Sequence, residues 1–508
     1  MAQRREKRAR DGGMKKETRA MSAEAAVHGE TRGEHAGGAG ATKRLAQHAA
    51  NLRYEDLPAA LVELIKQCVL DTLGVAIAAT TLSPEANVVA DYVEEMGGKA
   101  VATVWGFGHK APAPWAVFVN GSLGHMVDYD DVGAGGHVSI VTIPVAFAVA
   151  ERLGGVSGRD FLTAIAAGTD IHTRLNSGIR IPDWTIAEGW FPTQLFGFIS
   201  GAATAAKLQG ADAGVIENAF GIAFTQLSGS RQMAVGEATH LRSMQAGFSG
   251  QGAVLAADLA ARGIVGSKEV LEGRYGLYKT YVRTDADWDA VLGGLGRVFP
   301  LLELHGFKVW PACGYTRPTN TAIRHMRDAF SLLPDEVEAI TIIGGTGATR
   351  LLSEPLDLKR RPKLAIDAKF SIPFTSAVMM AKGNVTLRDY TEEGLRDTAV
   401  LAMADKVSYR VDPDGTLPVG GHSALSRPTV EIRMRDGRVH TCKPEGVPGD
   451  PNHPVSDELL EAKFRDCVSF SARPIPARNV ERAIGLIRDL ENLGDVTEII
   501  RLLVPEKA

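Results

Sequence analysis

One short stretch of the chain concentrates groups that can move protons. Asn120-Gly121-Ser122-Leu123-Gly124-His125-Met126-Val127-Asp128-Tyr129-Asp130-Asp131 leads, through a glycine-rich turn from Gly133 to Gly136, into His137-Val138-Ser139. Three carboxylates and two imidazoles therefore share one segment, and its glycines let the backbone fold closely round a small ligand. Asp128 and His137 could form a carboxylate–imidazole pair, in which the acid fixes the tautomer and raises the basicity of the ring. The alternative is a solvated acidic turn with structural histidines, which is the commoner outcome for an Asp/His segment taken by itself. Asp-Tyr-Asp-Asp could also hold a divalent cation through hard oxygen ligands, or serve as an acidic protonation motif. Neither idea finds its companion in the sequence, which has no matching second acidic cluster and no dense set of His and Cys ligands. No metal and no cofactor is expected.

Such groups need a scaffold, and the periodicity says what kind. From about Leu45 to Leu304 it is helical: Leu61, Ile65, Cys68, Val69, Leu73 and Ala76 fall on one face, and Val145, Ala148, Val149 and Leu153 repeat the spacing. The small-residue runs Gly197 to Ala203 and Gly250 to Ala257 fit helices packed at short distance in a large all-α core. After Gly306 the pattern changes. Val337 to Ile343 and Val430 to Met434 alternate with period two, Asp436-Gly437 supplies a hairpin turn to Val439 and Thr441, and Lys406 to Val411 is a further strand. Helices are expected from Asn320 to Phe330 and from Ile372 to Met380, and again after Pro454, where Ser456 is the N-cap. The loop Gly344-Gly345-Thr346-Gly347-Ala348-Thr349 follows a strand and resembles a phosphate cradle but lacks its lysine and the full dinucleotide fingerprint, so it reads as a turn.

The chain has 508 residues, too many for one core, and a net charge of −4, which gives no general affinity for nucleic acid. No apolar run is long enough to cross a bilayer; Val141 to Ala150 is too short. Cys68, Cys313, Cys442 and Cys467 are scattered without metal or redox spacing, which fits a reducing cytoplasm. The first residues, with Arg4, Arg5, Lys7, Arg8, Arg10, Lys15 and Lys16 and a Gly/Ala run from Ala36 to Ala41, read as a disordered basic leader. The expected organisation is a leader over 1–44, a helical domain over 45–305, an α+β domain over 306–451 and C-terminal helices over 452–508.

The proton-moving segment resembles the signature of the MmgE/PrpD family, which includes 2-methylcitrate dehydratases, cis-aconitate decarboxylases and iminodisuccinate epimerases. Further family-like blocks follow in order: Ala150 to Gly158, Gly189-Trp190-Phe191-Pro192-Thr193, Gly247 to Gly263 running on to Leu271 to Gly276, Phe307-Lys308-Val309-Trp310-Pro311-Ala312-Cys313, Lys369 to Phe374, and Gly449 to Pro454. The resemblance implies a mainly α fold. A large helical domain built from both ends of the chain would carry a smaller inserted α+β lid, with the site between them. It also implies a homodimer that transforms a small carboxylate without a cofactor, as a dehydratase or decarboxylase. An epimerase, or a member that binds a carboxylate or a partner without turnover, remains the alternative.

Carried over residue by residue, the resemblance makes His137 the acid/base, Asp128 its orienting carboxylate and Lys308 the active-site lysine. It sets Arg242, His125, Asp131, Phe191, Gln245, Cys313, Arg317 and Phe374 round the substrate. Several of these depart from the family pattern: Val132 stands for a hydroxyl residue, Phe191 for a histidine, Arg242 for a lysine, Gln245 and Arg317 for histidines, and Phe374 for a tyrosine. Arg242 keeps the charge and adds bidentate geometry. Phe191 and Phe374 remove polar groups, which implies a less polar substrate than a tricarboxylate or a reaction with a single acid/base centre.

Overall fold

In a computed structural model of the chain, residues 37–133, 135–181, 189–234, 239–345, 347–412 and 427–504 are described. Most of the expected leader lies outside them. The first helix, α1 (Ala41–Asn51), begins inside the span read as leader, so Ala41 to Arg44 belong to the fold. Ala41 and Leu45 are fully buried, and the Thr42 hydroxyl donates to Glu272 at 2.6 Å, which anchors the helix start far along the chain.

The apolar positions spaced along α2 (Ala59–Leu82) are buried as their spacing requires. Helices α3 (Ala113–Met126) and α4 (Ser139–Leu153) flank the acidic segment. From Ser139 to Ala150 helix α4 is buried all round, and Leu153, expected on its inward face, is exposed at the final turn. Helices α5 (Gly158–Ser177), α6 (Pro192–Leu208) and α7 (Leu241–Ala261) complete the packing round it. The two small-residue runs meet here. A Cβ on Gly201 of α6 would lie 2.7 Å from the Cβ of Ala253 on α7, and one on Gly247 would lie 2.3 Å from the carbonyl oxygen of Phe118 on α3. Neither approach leaves room for a side chain.

The expectation of an all-helical body needs correction. It contains two short antiparallel ladders, β1 (Ala102–Thr103) with β2 (Lys110–Ala111), and β3 (Val132–Gly133) with β4 (His305–Gly306). Such two-residue pairs satisfy loop backbone groups and carry no periodic signal.

Beyond β4 the chain builds a second core. Its apolar cluster runs from Trp310 to Met434, whereas the main cluster draws on residues from Ala41 to Phe307, on Leu387, and again on residues from Leu460 to Leu503. Helices α8 (Arg317–Phe330), α9 (Ala365–Lys369) and α10 (Ile372–Lys382) accompany a four-stranded sheet of β5 (Val337–Gly344), β6 (Val407–Val411), β7 (Thr429–Met434) and β8 (Val439–Cys442). The strand order is β6-β5-β7-β8; β5 pairs parallel with β6 and antiparallel with β7. Gly437, at φ 89°, makes the β7–β8 turn. After β5 the Tyr409 hydroxyl donates to the carbonyls of Gly344 and Gly345, as befits a turn, while Thr346 lies outside the described residues.

The chain then returns to the main cluster through α11 (Asp457–Val468), whose N-cap Ser456 accepts from the Leu459 N–H. A Cβ on Gly74 of α2 would touch Phe464 of α11 at 3.0 Å, so the two ends of the chain pack directly together. Among the described residues no helix is long and apolar enough to cross a membrane.

Candidate active site

The site is assembled where α3 ends. Asp128, two residues past the helix, has a φ of 51°, a left-handed conformation that side chains other than Gly, Asn and Asp seldom adopt. The chain then runs through β3, whose pairing with β4 brings the following residues, Phe307 and Lys308, against it. A Cβ on Gly133 would lie 2.2 Å from the Leu304 carbonyl, so this approach requires glycine. The turn closes with reciprocal bonds between Gly133 and Gly136, and the His137 N–H donates to the Thr193 hydroxyl at 2.9 Å. Beneath the segment Lys463 of α11 pairs with Asp71 of α2 at 2.6 Å and donates to the carbonyls of Tyr129 (2.6 Å) and Lys308 (3.1 Å). One ammonium thus ties together three remote parts of the sequence.

Asp130 is the centre of the arrangement. Its Oδ1 lies 2.9 Å from Nδ1 of His125, and its Oδ2 lies 2.7 Å from Nδ1 of His137. The His137 ring Nδ1–H is directed at the Asp131 carbonyl (2.9 Å), and the Asp130 oxygen beside that axis supplies charge to the ring. The two ring centres are 4.4 Å apart. On the far side of His125, Arg242 Nη1 approaches Nε2 at 2.5 Å. A guanidinium only donates, so His125 Nε2 accepts and its proton resides on Nδ1, facing Asp130. His125 is therefore neutral and fully engaged. In His137 only Nδ1 is engaged; among the described residues Nε2 has no hydrogen-bond partner.

The pairing expected between Asp128 and His137 is not the one formed. The left-handed turn aims Asp128 elsewhere, and its Oδ1 accepts from Lys308 at 2.6 Å. The same ammonium donates to the Asp128 carbonyl and stands 3.7 Å from Asp130. Asp131, expected beside the substrate, instead accepts from Ser139 and lies 3.0 Å from Nε2 of His305, which in turn touches Cys68 Sγ at 3.2 Å.

The charges follow from these contacts. Burial would raise Asp130, but His125, His137 and Lys308 outweigh it and hold the carboxyl well below the usual range. Burial pushes His125 down to about 4, against the pull of Asp130, so the ring is uncharged at neutral pH. Burial also disfavours the Lys308 ammonium, yet Asp128 and Asp130 reverse this and raise it.

Of the remaining expected residues, Arg242 stacks on the Phe191 ring at 4.5 Å, so the aromatic in place of a histidine supports the cation. Gln245, three residues on along α7 and hence on the same side, is fully buried with neither amide atom partnered among the described residues. Burial and Asp128 push the Cys313 thiol up to about 11. Two residues lie apart from these groups. Arg317 is bound to Asp450 at 2.8 Å and to the Pro448 carbonyl, where it braces the loop whose Gly449 carbonyl accepts from the Phe307 N–H. Phe374 is fully buried in the second core. Its ring is 6.3 Å from that of Tyr390, so a phenol stands beside it.

Asp130, Lys369, Tyr390 and His172 stand at this site without having been expected there from the sequence. Asp130 was in view within the acidic run, but no spacing rule distinguishes it from Asp128 two residues earlier. Lys369 heads an apolar run, a signal for a buried cation. His172 of α5 lies under the glycine turn with neither ring nitrogen partnered among the described residues, and burial and His137 push it down to about 3. Among the described residues two groups, Cys68/Asp131/His305 and His125/Asp130/His137, have donor atoms close enough to share a cation. In the second, the tautomer fixed by Arg242 places a proton on His125 Nδ1, where a metal would need a lone pair.

The sequence profile of the MmgE/PrpD N-terminal domain matches residues 43–289, and that of the C-terminal domain matches residues 310–488. The chain is 26% identical over 492 residues to the cis-aconitate decarboxylase-like protein oryM of Aspergillus oryzae, covering 92% of this chain and 97% of that one. It is 25% identical over 474 residues to the cis-aconitate decarboxylase of Homo sapiens, covering 91% and 94%. With the cis-aconitate decarboxylase of Aspergillus terreus it shares 25% over 492 residues, covering 91% and 96%.

Proposed function

The chain belongs to the MmgE/PrpD family, and from that premise we propose that it is a lyase acting on a small carboxylic acid, with His137 as its acid/base. The observation that carries this reading is the unequal treatment of the two imidazoles by Asp130. His125 is held neutral between Asp130 and Arg242, whereas His137 has charge support at Nδ1 and, among the described residues, no hydrogen-bond partner at Nε2. A buried carboxylate of this kind stabilises the imidazolium that forms when Nε2 takes up a proton.

In a decarboxylation the bond from carbon to carboxylate breaks and carbon dioxide leaves, with the electron pair staying on the substrate carbon. The His137 imidazolium gives its Nε2 proton to that carbon and is restored from solvent. In a dehydration neutral Nε2 takes the proton beside the carboxylate while hydroxide departs. Arg242, stacked on Phe191, and the uncommitted amide of Gln245 hold the substrate carboxylate. Lys308 keeps Asp128 charged and adds positive potential. The segment 306–451 acts as a lid that completes the site.

A screen of citrate-, aconitate- and succinate-type acids, read by mass spectrometry, tests the reading. The wild type is expected to convert at least one acid, and His137→Gln to lose roughly two to four orders of magnitude in rate with its fold intact. Full activity of that variant would overturn the mechanism. Calorimetric binding of an acid that is never converted would support a carboxylate-binding protein instead.

A further inference from the structure

Lys369 is a cation of the site that the relay does not use. It ends α9, is 3% exposed, and reaches out of the second core to donate to the carbonyl of Met126, the last residue of α3, at 3.2 Å. No carboxylate lies within ion-pair distance among the described residues, although Lys308 has two and Lys463 has one. Its ammonium stands 5.7 Å from the centre of the Tyr390 ring. The Tyr390 hydroxyl is itself buried with no partner among the described residues. A buried ammonium with one long hydrogen bond beside an unpartnered phenol is costly unless something else completes the group.

Resting on the lyase reading above, we propose that Lys369, backed by Tyr390, is a second catalytic group: it takes a substrate carboxylate and donates a proton to the oxygen that gains charge. The N–H bond of the ammonium breaks, an O–H bond forms on the substrate, and the resulting amine recovers its proton when product leaves. The groups facing Lys369 suit this exchange. Asp128 and Glu85 favour the ammonium, Lys308 opposes it, and Tyr390 presents its ring. Burial is the largest influence and pushes Lys369 down to about 8, close enough to neutrality for either protonation state to be reached.

The full-length chain carrying Lys369→Arg, Lys369→Met or Tyr390→Phe tests this, with thermal melts to show that each folds. On an acid that the wild type converts, kcat/KM is expected to fall above about pH 8 as Lys369 loses its proton. Lys369→Arg should keep the grip on the substrate carboxylate but lower kcat by roughly 10²-fold and lose the basic limb, because a guanidinium stays charged and gives up no proton, and Lys369→Met should lower kcat/KM at pH 7 by roughly 10²-fold or more. A strut to the Met126 carbonyl would not move the limb. An unchanged limb in Lys369→Arg, or activity in Lys369→Met within about threefold of wild type, would overturn the proposal while leaving the role of His137 intact. Titration of lysine labelled with ¹³C at Cε supplies a measurement on the wild type, the Lys369 signal being the one missing from Lys369→Met. It should titrate near pH 8 and move upward when cis-aconitate is added. A signal that titrates with the exposed lysines and ignores cis-aconitate would overturn the proposal even if the wild type converts no acid.

Discussion

The two sides of the candidate site are built on opposite plans. On the helical side, His125, Asp130 and His137 come from one continuous segment, and the protein itself holds both nitrogens of His125 and Nδ1 of His137. On the side of the second core, Lys308 and Lys369 arrive from distant segments, and Lys369 and Tyr390 hold hydrogen-bonding capacity that no group among the described residues fills. The difference separates two requirements of proton transfer beside a carboxylate. The proton-moving ring must be oriented before the substrate arrives, whereas the groups that neutralise the substrate must remain available to it.

The comparison can be broken most severely at Lys308. Lys308→Met should remove turnover and destabilise the fold by about 3–5 kcal/mol in urea unfolding, because Asp128 would be left buried and unpaired. A stable variant would show that Asp128 is not held by this pair. Next in size, Arg242→Gln should raise KM by roughly 10–100-fold with a smaller effect on kcat, since a charged hydrogen bond to substrate is lost while Asp130 still orients His137. A change confined to kcat would place Arg242 with the proton-moving side instead.

The smallest effect concerns His172 under the relay. Its folded pKa, about 3, lies below the roughly 6.5 of an unfolded histidine, so between these values the unfolded chain binds the proton and stability rises with pH. Acidification from about pH 6.5 toward 4 should therefore lower the melting temperature. His172→Leu should make that decline less steep, and an unchanged slope would mean that His172 does not stay neutral in the fold. His125, pushed down to about 4, contributes in the same direction and should sustain part of the decline.

Much of the architecture was legible in the sequence. Period-two runs located β5 and β7 to within a residue, the Asp436-Gly437 pair located the hairpin, and Ser456 marked the start of α11. These features depend on local sterics and alternation, which a short window contains. The pairing of the acids was not legible, because it turns on one backbone dihedral at Asp128 and on a lysine delivered by a two-residue ladder. Nor could the sequence show that Phe374 faces the second core while Tyr390, sixteen residues later, keeps a phenol beside it. The start of α1 was misplaced because Ala41 continues the Gly/Ala composition of the run before it, and what fixes the helix is a contact with Glu272.

Comparing Asp130→Asn with Asp128→Asn tests the central claim most directly, with kcat measured on an acid that the wild type converts and binding followed by calorimetry. If Asp130 orients both imidazoles and supports charge on His137, Asp130→Asn should lose roughly 10³–10⁴ in kcat while still binding the acid. Asp128→Asn should retain at least tenfold more of its kcat than Asp130→Asn. The reverse order, with Asp130→Asn near wild type and Asp128→Asn inactive, would contradict the account and return the orienting role to Asp128.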